Sequence, residues 1–215
     1  MIKAVIFDMD GLLIDSEPFW RIAEIGAFRN LGYTLSDEML AATMGMRNDE
    51  VVKHWVNHFK IEQANYGEIE IEILAKVQEL VEAKGKVLPG VIETLEFFKN
   101  QQIPIGLASS SPLGIIQSVV DTLEIEKYFK VMCSAEFEEF GKPHPAVFIA
   151  AATYLQVNSE DCLVFEDSIN GMIAAKAAKM KCITIPTPEN FDNPKYALAD
   201  SSFESLILFL AKELK

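Results

Sequence analysis

Short apolar runs alternate along the chain with longer stretches in which apolar residues recur every three or four positions. The short runs are typical of buried strands, and the longer stretches are typical of amphipathic helices. We predict strands at residues 3–7, 103–108, 131–134, 162–166 and 182–186. We predict helices near residues 91–101, 112–124, 146–156, 170–180 and 202–214. This alternation indicates an α/β fold in which helices cover both faces of a parallel sheet.

The stretch from about residue 17 to residue 84 breaks the alternation, because it contains several helical patterns and no convincing strand. In one of these patterns, Val51, Trp55 and Phe59 share a helical face. The simplest account is an all-helical insert that follows the first strand. We therefore predict a core domain formed by residues 1–15 and 86–215, and a helical domain formed by residues 16–85.

Composition narrows the possible partners. The 215 residues carry a formal net charge of −13, which argues against nucleic acids and anionic membranes, since both bind clustered lysine and arginine. The sequence has no apolar run long enough to span a bilayer and no signal-peptide pattern after Met1. Three widely spaced cysteines in apolar runs are typical of reduced thiols. We therefore expect a cytoplasmic protein and, by default for its size, a monomer.

The sequence Phe7-Asp8-Met9-Asp10-Gly11 lies at the end of the first predicted strand. Ligands of open α/β sheets bind at the carboxyl ends of the strands. Residues two apart in an extended segment project to the same side, so Asp8 and Asp10 can face one site. Two carboxyl groups at one site can divide the ionised and protonated roles. Taken alone, the motif also occurs in surface turns; a calcium loop is disfavoured because its glycine and glutamate are absent from the sixth and twelfth positions.

Further polar groups follow later strands. A serine triplet at residues 109–111 follows the second strand, and hydroxyls with amides at a helix start suit a phosphate. Lys142 lies in a segment that two prolines stiffen, and Glu166 and Asp167 end the fourth strand, where adjacent acids suit a hard cation. Taken one by one, these elements also fit a helix cap, a solvated lysine and a helix N-terminus. Their joint order, each at its own place along the chain, is hard to obtain by chance.

Together these elements resemble the motifs of the haloacid dehalogenase superfamily over essentially the whole chain. Asp8-Met9-Asp10-Gly11 looks like the first motif of the family and Ser109 like the second. Lys142 looks like the third motif and Glu166-Asp167 like the fourth. The resemblance implies a Rossmann-like core with a five-stranded parallel sheet, the Asp8 strand at its centre, and it identifies the helical insert with the family's cap. Within the superfamily the segments look most like the bacterial hexitol and 2-deoxyglucose-6-phosphate phosphatases, and next like β-phosphoglucomutases.

The resemblance implies hydrolysis of a small phosphorylated metabolite. Asp8 would attack phosphorus as the nucleophile, and Asp10 would act as general acid and then as general base. Ser109 and the Ser110 amide would bind a phosphate oxygen, and Lys142 would neutralise charge and hold Asp8 close to the phosphate.

The implied cofactor is Mg²⁺. A phosphate monoester is dianionic and repels an anionic nucleophile, and a divalent cation offsets that repulsion. The predicted ligands are Asp8, the main-chain carbonyl of Asp10 and Asp167, with Glu166 in or near the coordination shell.

The insert is expected to supply substrate specificity and to exclude water when it closes over the site. Its predicted substrate-binding residues are Glu17, Trp20, Gly45, Arg47 and Asn48. Glu17 and Trp20 lie within two helical turns of the first motif, and Arg47 follows Gly45 in a predicted loop. Trp20 could instead belong to the core of the insert, and Arg47 could belong to its solvated surface.

Three alternatives stay open from the sequence. In phosphosugar mutases that share this core and cap, a histidine stands at the position of Trp20, and this departure favours hydrolysis. Cleavage of phosphoglycolate or pyrophosphate is a second alternative, since residues of the insert decide it. An inactive binding module on the same fold is the third, although a competent residue fills every catalytic position.

Overall fold

A six-stranded sheet forms the centre of the computed structural model, which describes residues 1–213. Its strands are β1 (Ala4–Phe7), β2 (Ile105–Ser109), β3 (Phe129–Ser134), β4 (Cys162–Glu166), β5 (Lys181–Thr184) and β6 (Ser201–Ser202). All are parallel and lie in the order β3-β2-β1-β4-β5-β6. The predicted α/β class with a parallel sheet is therefore confirmed, and the carboxyl ends of the strands meet at one edge.

Helices surround the sheet and also form the insert. Within residues 1–213 they are α1 (Glu17–Asn30), α2 (Asp37–Thr43), α3 (Asn48–Phe59), α4 (Tyr66–Lys84), α5 (Val91–Asn100), α6 (Leu113–Thr122), α7 (Ala146–Leu155), α8 (Ile169–Ala177) and α9 (Leu206–Glu213). Short 3-10 helices lie at Glu126–Tyr128, Ala135–Phe137, Ser159–Asp161, Pro188–Asn190 and Pro194–Leu198. No helix in the described part of the chain combines the length and apolarity needed to cross a membrane.

The sequence of β1 explains why helices cover both faces of the sheet. All four of its side chains are buried, and alternate residues of a strand point to opposite faces. Val5 and Phe7 belong to one hydrophobic cluster, in which Phe7 stacks on Phe165 with ring centroids 4.9 Å apart. Ala4 and Ile6 belong to the other cluster, together with residues of α7 and α8. Because β1 lies between β2 and β4, the segment after Phe7 lies within the carboxyl edge of the sheet and not at one of its ends.

The helical insert consists of α1–α4 and lies between β1 and β2, as predicted. Ile69, Ile73 and Val77 of α4 are buried at a spacing of four residues, so one face of α4 packs against the rest of the insert. The two segments that join the insert to the core pair with each other through Ile14 and Val87. The exact domain boundaries given above stay a prediction.

The sheet has one strand more than the resemblance implies, and the helix predicted at residues 202–214 begins later. Ser201–Ser202 form β6, and α9 begins at Leu206. The Phe203 N–H donates to the Thr184 carbonyl at 2.9 Å, and the Thr184 hydroxyl lies 2.7 Å from that of Ser202. The edge of β5 carries main-chain groups that need partners. Ser201 and Ser202 pair with Ile183 and Thr184 at this edge, although they lack the apolar pattern by which strands are predicted.

Candidate active site

The candidate active site lies at the carboxyl edge of the sheet, beneath the helical insert. Asp8 follows β1, Ser109 ends β2 and Glu166 ends β4, and these three strands are neighbours. From the core, the residues lining the pocket are Asp8, Asp10, Ser109, Ser110, Ser111, Lys142, Glu166, Asp167 and Ser168. From the insert, they are Glu17, Trp20, Arg21, Glu24, Leu40, Thr43, Met44, Gly45, Met46 and Asn48.

Lys142 is a buried cation that two carboxylates share. Its Nζ donates hydrogen bonds to Asp8 Oδ1 at 2.6 Å and to Glu166 Oε1 at 2.8 Å. A third bond reaches the Ala108 carbonyl at 3.1 Å, and only 2% of the lysine side chain is exposed. Burial lowers the pKa of Lys142, but Asp8 and Glu166 outweigh burial and raise that pKa above its ordinary range. The ammonium group therefore stays charged, and it fixes the orientation of the Asp8 carboxylate.

Asp8, Glu166 and Asp167 form a cluster of three buried carboxylates whose oxygens lie within 4.8 Å of one another. Within residues 1–213, Lys142 is the one cation hydrogen-bonded to them, so the ionised cluster carries excess negative charge. Burial raises the pKa of Asp8 to about 8 against the opposing effect of Lys142, and burial likewise raises the pKa of Asp167. A buried set of oxygen donors with excess negative charge is the environment that Mg²⁺ prefers. The residues present therefore fit this ion.

Glu166 and Asp167 are held in different ways. Glu166 bonds to Lys142 through Oε1, and its Oε2 accepts hydrogen bonds from the N–H and the hydroxyl of Ser168 at 2.8 and 2.9 Å. Asp167 is anchored through its main chain, whose carbonyl accepts a hydrogen bond from the Tyr196 hydroxyl at 2.6 Å. Both oxygens of Glu166 thus accept hydrogen bonds from the protein, whereas the Asp167 carboxylate is available to bind a cation.

Two glycines leave the space that the carboxylates of Asp167 and Glu166 occupy. Gly11 has a φ of +76°, and a Cβ at this position would lie 2.1 Å from Asp167 Oδ2. At Gly171, a Cβ would lie 1.6 Å from Glu166 Oε1. Any side chain at either position would displace an acidic group of the cluster, so glycine is required for the geometry as well as for the turn after Asp10.

Asp10 is held separately from the three-carboxylate cluster. Its Oδ1 accepts hydrogen bonds from the Ser16 hydroxyl at 2.5 Å and from Trp20 Nε1 at 3.0 Å. Its Oδ2 accepts them from the Ser111 hydroxyl at 2.7 Å and from the Ser109 hydroxyl at 3.3 Å. One carboxyl group therefore ties the end of β2 to the start of α1. The metal role of Asp10 concerns its main-chain carbonyl and stays a prediction.

The structure brings most of the predicted substrate-binding residues to the pocket. Those that line it are Glu17, Trp20, Gly45, Asn48 and Ser110. Ser110 donates its hydroxyl to the Gly45 carbonyl at 2.9 Å, which joins the core to the insert. Arg47 is not among the lining residues, because its guanidinium is bound to Asp49 and to two main-chain carbonyls of the core. The roles of all these residues in substrate binding stay predictions.

Arg21 and Glu24 also line the pocket, and the sequence analysis missed them. A signal was present, because Glu17, Arg21 and Glu24 are spaced by four and three residues and so share one face of α1. Burial raises the pKa of Glu24 to about 8, with Glu17 adding to the rise and Arg21 opposing it. Burial also raises the pKa of Glu17 to about 7, with Asp10 adding to the rise. The insert side of the pocket is thus acidic and partly protonated near neutral pH.

Asn48 is the first residue of α3 and is only 6% exposed. Neither its amide nitrogen nor its amide oxygen has a hydrogen-bond partner within residues 1–213. An unpartnered buried polar group destabilises a fold by about 1–3 kcal/mol. The amide of Asn48 therefore lies beside the pocket with its hydrogen-bonding capacity unused within this part of the chain.

Comparison with known proteins gives consistent results. A family model described as hydrolase, haloacid dehalogenase-like hydrolase, matches residues 2–179. Hexitol phosphatase B of Escherichia coli (strain K12) is 41% identical over 214 residues, covering 99% of this chain and 96% of that protein. A phosphorylated carbohydrates phosphatase of Thermotoga maritima is 34% identical over 184 residues, covering 84% of this chain and 83% of that protein.

A solved structure supports the same fold. The β-phosphoglucomutase of Clostridium difficile matches with a TM-score of 0.84 and 23% identity, covering 99% of this chain and 97% of that chain. At this identity the likeness bears on the fold alone. The expected resemblance to the haloacid dehalogenase superfamily and its hexitol phosphatases is therefore confirmed, and β-phosphoglucomutases are among the proteins that share the fold.

Proposed function

Since the chain belongs to the haloacid dehalogenase-like hydrolases, we propose that it is a Mg²⁺-dependent phosphatase of sugar or sugar-alcohol phosphates that works through an aspartyl-phosphate. The observation that carries the proposal is the buried cluster in which Lys142 holds Asp8 at 2.6 Å beside Glu166 and Asp167. A carboxylate fixed by a cation, next to a site suited to a divalent ion, is what attack on a dianionic ester requires.

Asp8 is the proposed nucleophile. When bound, Mg²⁺ supplies positive charge that offsets the phosphate and favours the ionised carboxylate of Asp8. Lys142 restrains one oxygen of Asp8 and adds a second positive charge beside the phosphate. Asp8 attacks phosphorus, a bond forms between its oxygen and phosphorus, and the bond from phosphorus to the alcohol oxygen breaks.

Asp10 is the proposed acid and base. In its protonated form it gives its proton to the departing alkoxide, so that a neutral alcohol leaves. It then takes a proton from the water that attacks the aspartyl-phosphate, which releases inorganic phosphate and restores Asp8. The hydrogen bonds from Ser16, Trp20 and Ser111 hold the Asp10 carboxyl in one orientation for both transfers.

The insert side of the pocket supports a hydroxyl-rich substrate. Glu17 and Glu24 can accept hydrogen bonds from sugar hydroxyls, and the Asn48 amide can bind a hydroxyl as both donor and acceptor. The ionised fraction of these carboxyls, which grows above neutral pH, would repel a second anionic group, such as the carboxylate of phosphoglycolate or the second phosphate of pyrophosphate. The one insert cation lining the pocket, Arg21, is already paired with Asp37. These features favour a neutral polyol tail over an anionic one.

The position of Trp20 favours hydrolysis over a mutase reaction. Its indole N–H donates to Asp10 and has no second proton to relay to a sugar hydroxyl. The phosphoryl group is therefore proposed to pass from Asp8 to water. We further propose that the chain acts as a monomer in the cytoplasm, where its three cysteines, all free and buried, would stay reduced.

The proposal is tested by measuring phosphate release from hexose, deoxyhexose and hexitol phosphates, phosphoglycolate and pyrophosphate. We expect kcat/KM for the polyol phosphates to exceed that for the two anionic substrates by at least about tenfold, because one unpaired buried charge costs that much or more. Chelation of divalent ions with EDTA should stop release, and added Mg²⁺ should restore it.

The same measurement separates the alternatives. A preference for phosphoglycolate or pyrophosphate would contradict the polyol assignment. Conversion of a hexose 1-phosphate to the 6-phosphate, with a trace of bisphosphate present, would indicate a mutase. A folded protein that releases phosphate from no substrate would move the assignment to an inactive binding module.

Replacing Asn48 with leucine separates binding from stability. Leucine has a similar volume and removes two unpartnered polar groups, so we expect the free energy of unfolding to rise by about 1 kcal/mol. The same variant should raise KM for the preferred polyol phosphate by about tenfold, because a substrate hydroxyl loses its partner. Urea unfolding and steady-state kinetics measure the two effects. A variant that is less stable and binds substrate normally would show that Asn48 serves the fold instead.

A further inference from the structure

Two residues of the insert contact one segment of the core, residues 135–141, which ends next to Lys142. Arg47 Nη1 donates hydrogen bonds to the carbonyls of Ala135 and Glu138 at 2.9 and 2.8 Å. The Gly141 N–H donates to Glu50 Oε1 at 3.0 Å. We refer to these three bonds as the Arg47–Glu50 clamp.

The guanidinium of the clamp is oriented before it meets the core. Asp49 accepts hydrogen bonds from Nε and Nη2 of Arg47 at 2.5 and 2.8 Å, a bidentate arrangement that fixes the plane of the guanidinium. This leaves Nη1 for the two core carbonyls, and only 13% of the Arg47 side chain is exposed. Arg47 and Glu50 are three residues apart at the start of α3, so they face the same side.

The contact at Gly141 is close. A Cβ at this position would lie 2.7 Å from Glu50 Oε2 and 2.9 Å from Arg47 Cβ, so the core main chain approaches the insert as nearly as a glycine allows. The next residue is Lys142, whose ammonium bonds to Asp8 and Glu166. The Arg47–Glu50 clamp therefore holds the main chain at the residue immediately before Lys142.

Asn48 lies between the two clamp residues in the sequence and lines the pocket. Fixing Arg47 and Glu50 against the core also fixes the helical turn that carries Asn48. The core side and the insert side of the pocket are thus joined through one turn of α3.

We propose that Arg47 and Glu50 are positioning residues that set the main chain of Gly141, and through it Lys142, when the insert is seated on the core. An ion pair such as Arg47–Asp49, whose aspartate is exposed, would by itself contribute little to the free energy of unfolding. Here the arginine also supplies donors to two main-chain carbonyls of the core, and Glu50 accepts the Gly141 N–H. The effect on catalysis rests on the proposed function, whereas the effect on Gly141 does not.

Amide hydrogen exchange of the ¹⁵N-labelled protein tests the contact directly. In Glu50→Ala and Arg47→Met, the Gly141 amide should exchange at least about tenfold faster, because it loses its acceptor or the seating of that acceptor. Glu50→Gln keeps an oxygen that accepts the same bond and should keep the wild-type rate. Val164, in the centre of β4, should exchange at the same rate in every variant, which separates a local effect from global loss of stability.

The matched control is Lys76→Met, which breaks the exposed Lys76–Glu79 ion pair within the insert without touching the core. It should leave the Gly141 exchange rate unchanged. Exchange of Gly141 at the wild-type rate in both Glu50→Ala and Arg47→Met would overturn the proposal.

Kinetics test the consequence for Lys142. Glu50→Ala should lower kcat by about tenfold for every phosphomonoester and also for acetyl phosphate, an acyl phosphate that is too small to reach the insert, and Glu50→Gln should restore it. A rise in KM with unchanged kcat would overturn the link to Lys142. If the wild-type protein released no phosphate from any substrate, the proposed function would fail, while the exchange rates would still decide whether the clamp positions Gly141.

Discussion

The variant Asp8→Asn is expected to release phosphate at least about 10⁴-fold more slowly than the wild-type enzyme, because an amide cannot act as the nucleophile. Asparagine keeps the size of aspartate and can still accept a hydrogen bond from Lys142. Phosphate release from the preferred substrate, with Mg²⁺ present in excess, measures the loss.

The fold of this variant should survive. In the absence of Mg²⁺, the neutral amide replaces a carboxyl whose ionised form is disfavoured by burial, so we expect a melting temperature equal to or above that of the wild-type protein. Circular dichroism and thermal unfolding in EDTA provide the control. Wild-type turnover in a folded Asp8→Asn protein would exclude the aspartyl-phosphate.

Replacing Lys142 with methionine is expected to affect both stability and activity. The only cation hydrogen-bonded to the three-carboxylate cluster within residues 1–213 would be lost. Breaking a buried ion pair by removing one partner typically lowers the free energy of unfolding by about 3–5 kcal/mol. Phosphate release should fall by about 10³-fold, since a charge beside the developing phosphate charge is also lost.

The loss of stability in Lys142→Met should depend on pH. The pKa of Asp8 rises from 3.8 to about 8 in the folded chain. A carboxyl with a raised pKa costs no stability below pH 3.8, where it is protonated in both states, and costs more as the pH rises toward the folded value. Without Lys142 the pKa rises further, so the difference from the wild-type protein should be nearly constant up to pH 7 and should grow above pH 8, where Asp8 ionises in the folded wild-type protein and stays protonated in the folded variant.

Urea unfolding in EDTA at pH 5, 7 and 9.5 measures this dependence. Lys76→Met, which removes an exposed lysine from the insert, is the control and should change stability by no more than about 0.5 kcal/mol at any of these pH values. A deficit in Lys142→Met that stays constant from pH 7 to 9.5 would contradict the electrostatic account.

The sequence was sufficient to predict which residues of the core lie together because strand ends are local features. Each acidic or basic group of the core motifs lies close to an apolar run in the sequence, and parallel strands bring their carboxyl ends to one edge. The proximity of Asp8, Ser109 and Glu166 could therefore be inferred from the order of the strands. The helical insert was also predictable, since a stretch of this length without strands stands out from the alternation.

Other features depend on contacts that no local pattern carries. Arg47 bonds to carbonyls 88 and 91 residues away, and main-chain acceptors of this kind leave no trace in the side-chain pattern. The unpartnered amide of Asn48 is a property of packing and appears only when every neighbour is placed. The strand β6 consists of two serines whose role comes from the open edge of β5.

The bonds around Asp10 bear on how the substrate range of such an enzyme can evolve. One helix, α1, carries the acidic face that lines the pocket and also Trp20, which is hydrogen-bonded to Asp10, the proposed acid/base. Substitutions at Arg21 or Glu24 on the same helix can change which alcohol is accepted while the proposed chemistry is inherited unchanged. A substitution at Trp20 changes both at once. Substitutions along most of α1 can therefore alter substrate preference alone, whereas a substitution of Trp20 also disturbs the proposed acid/base.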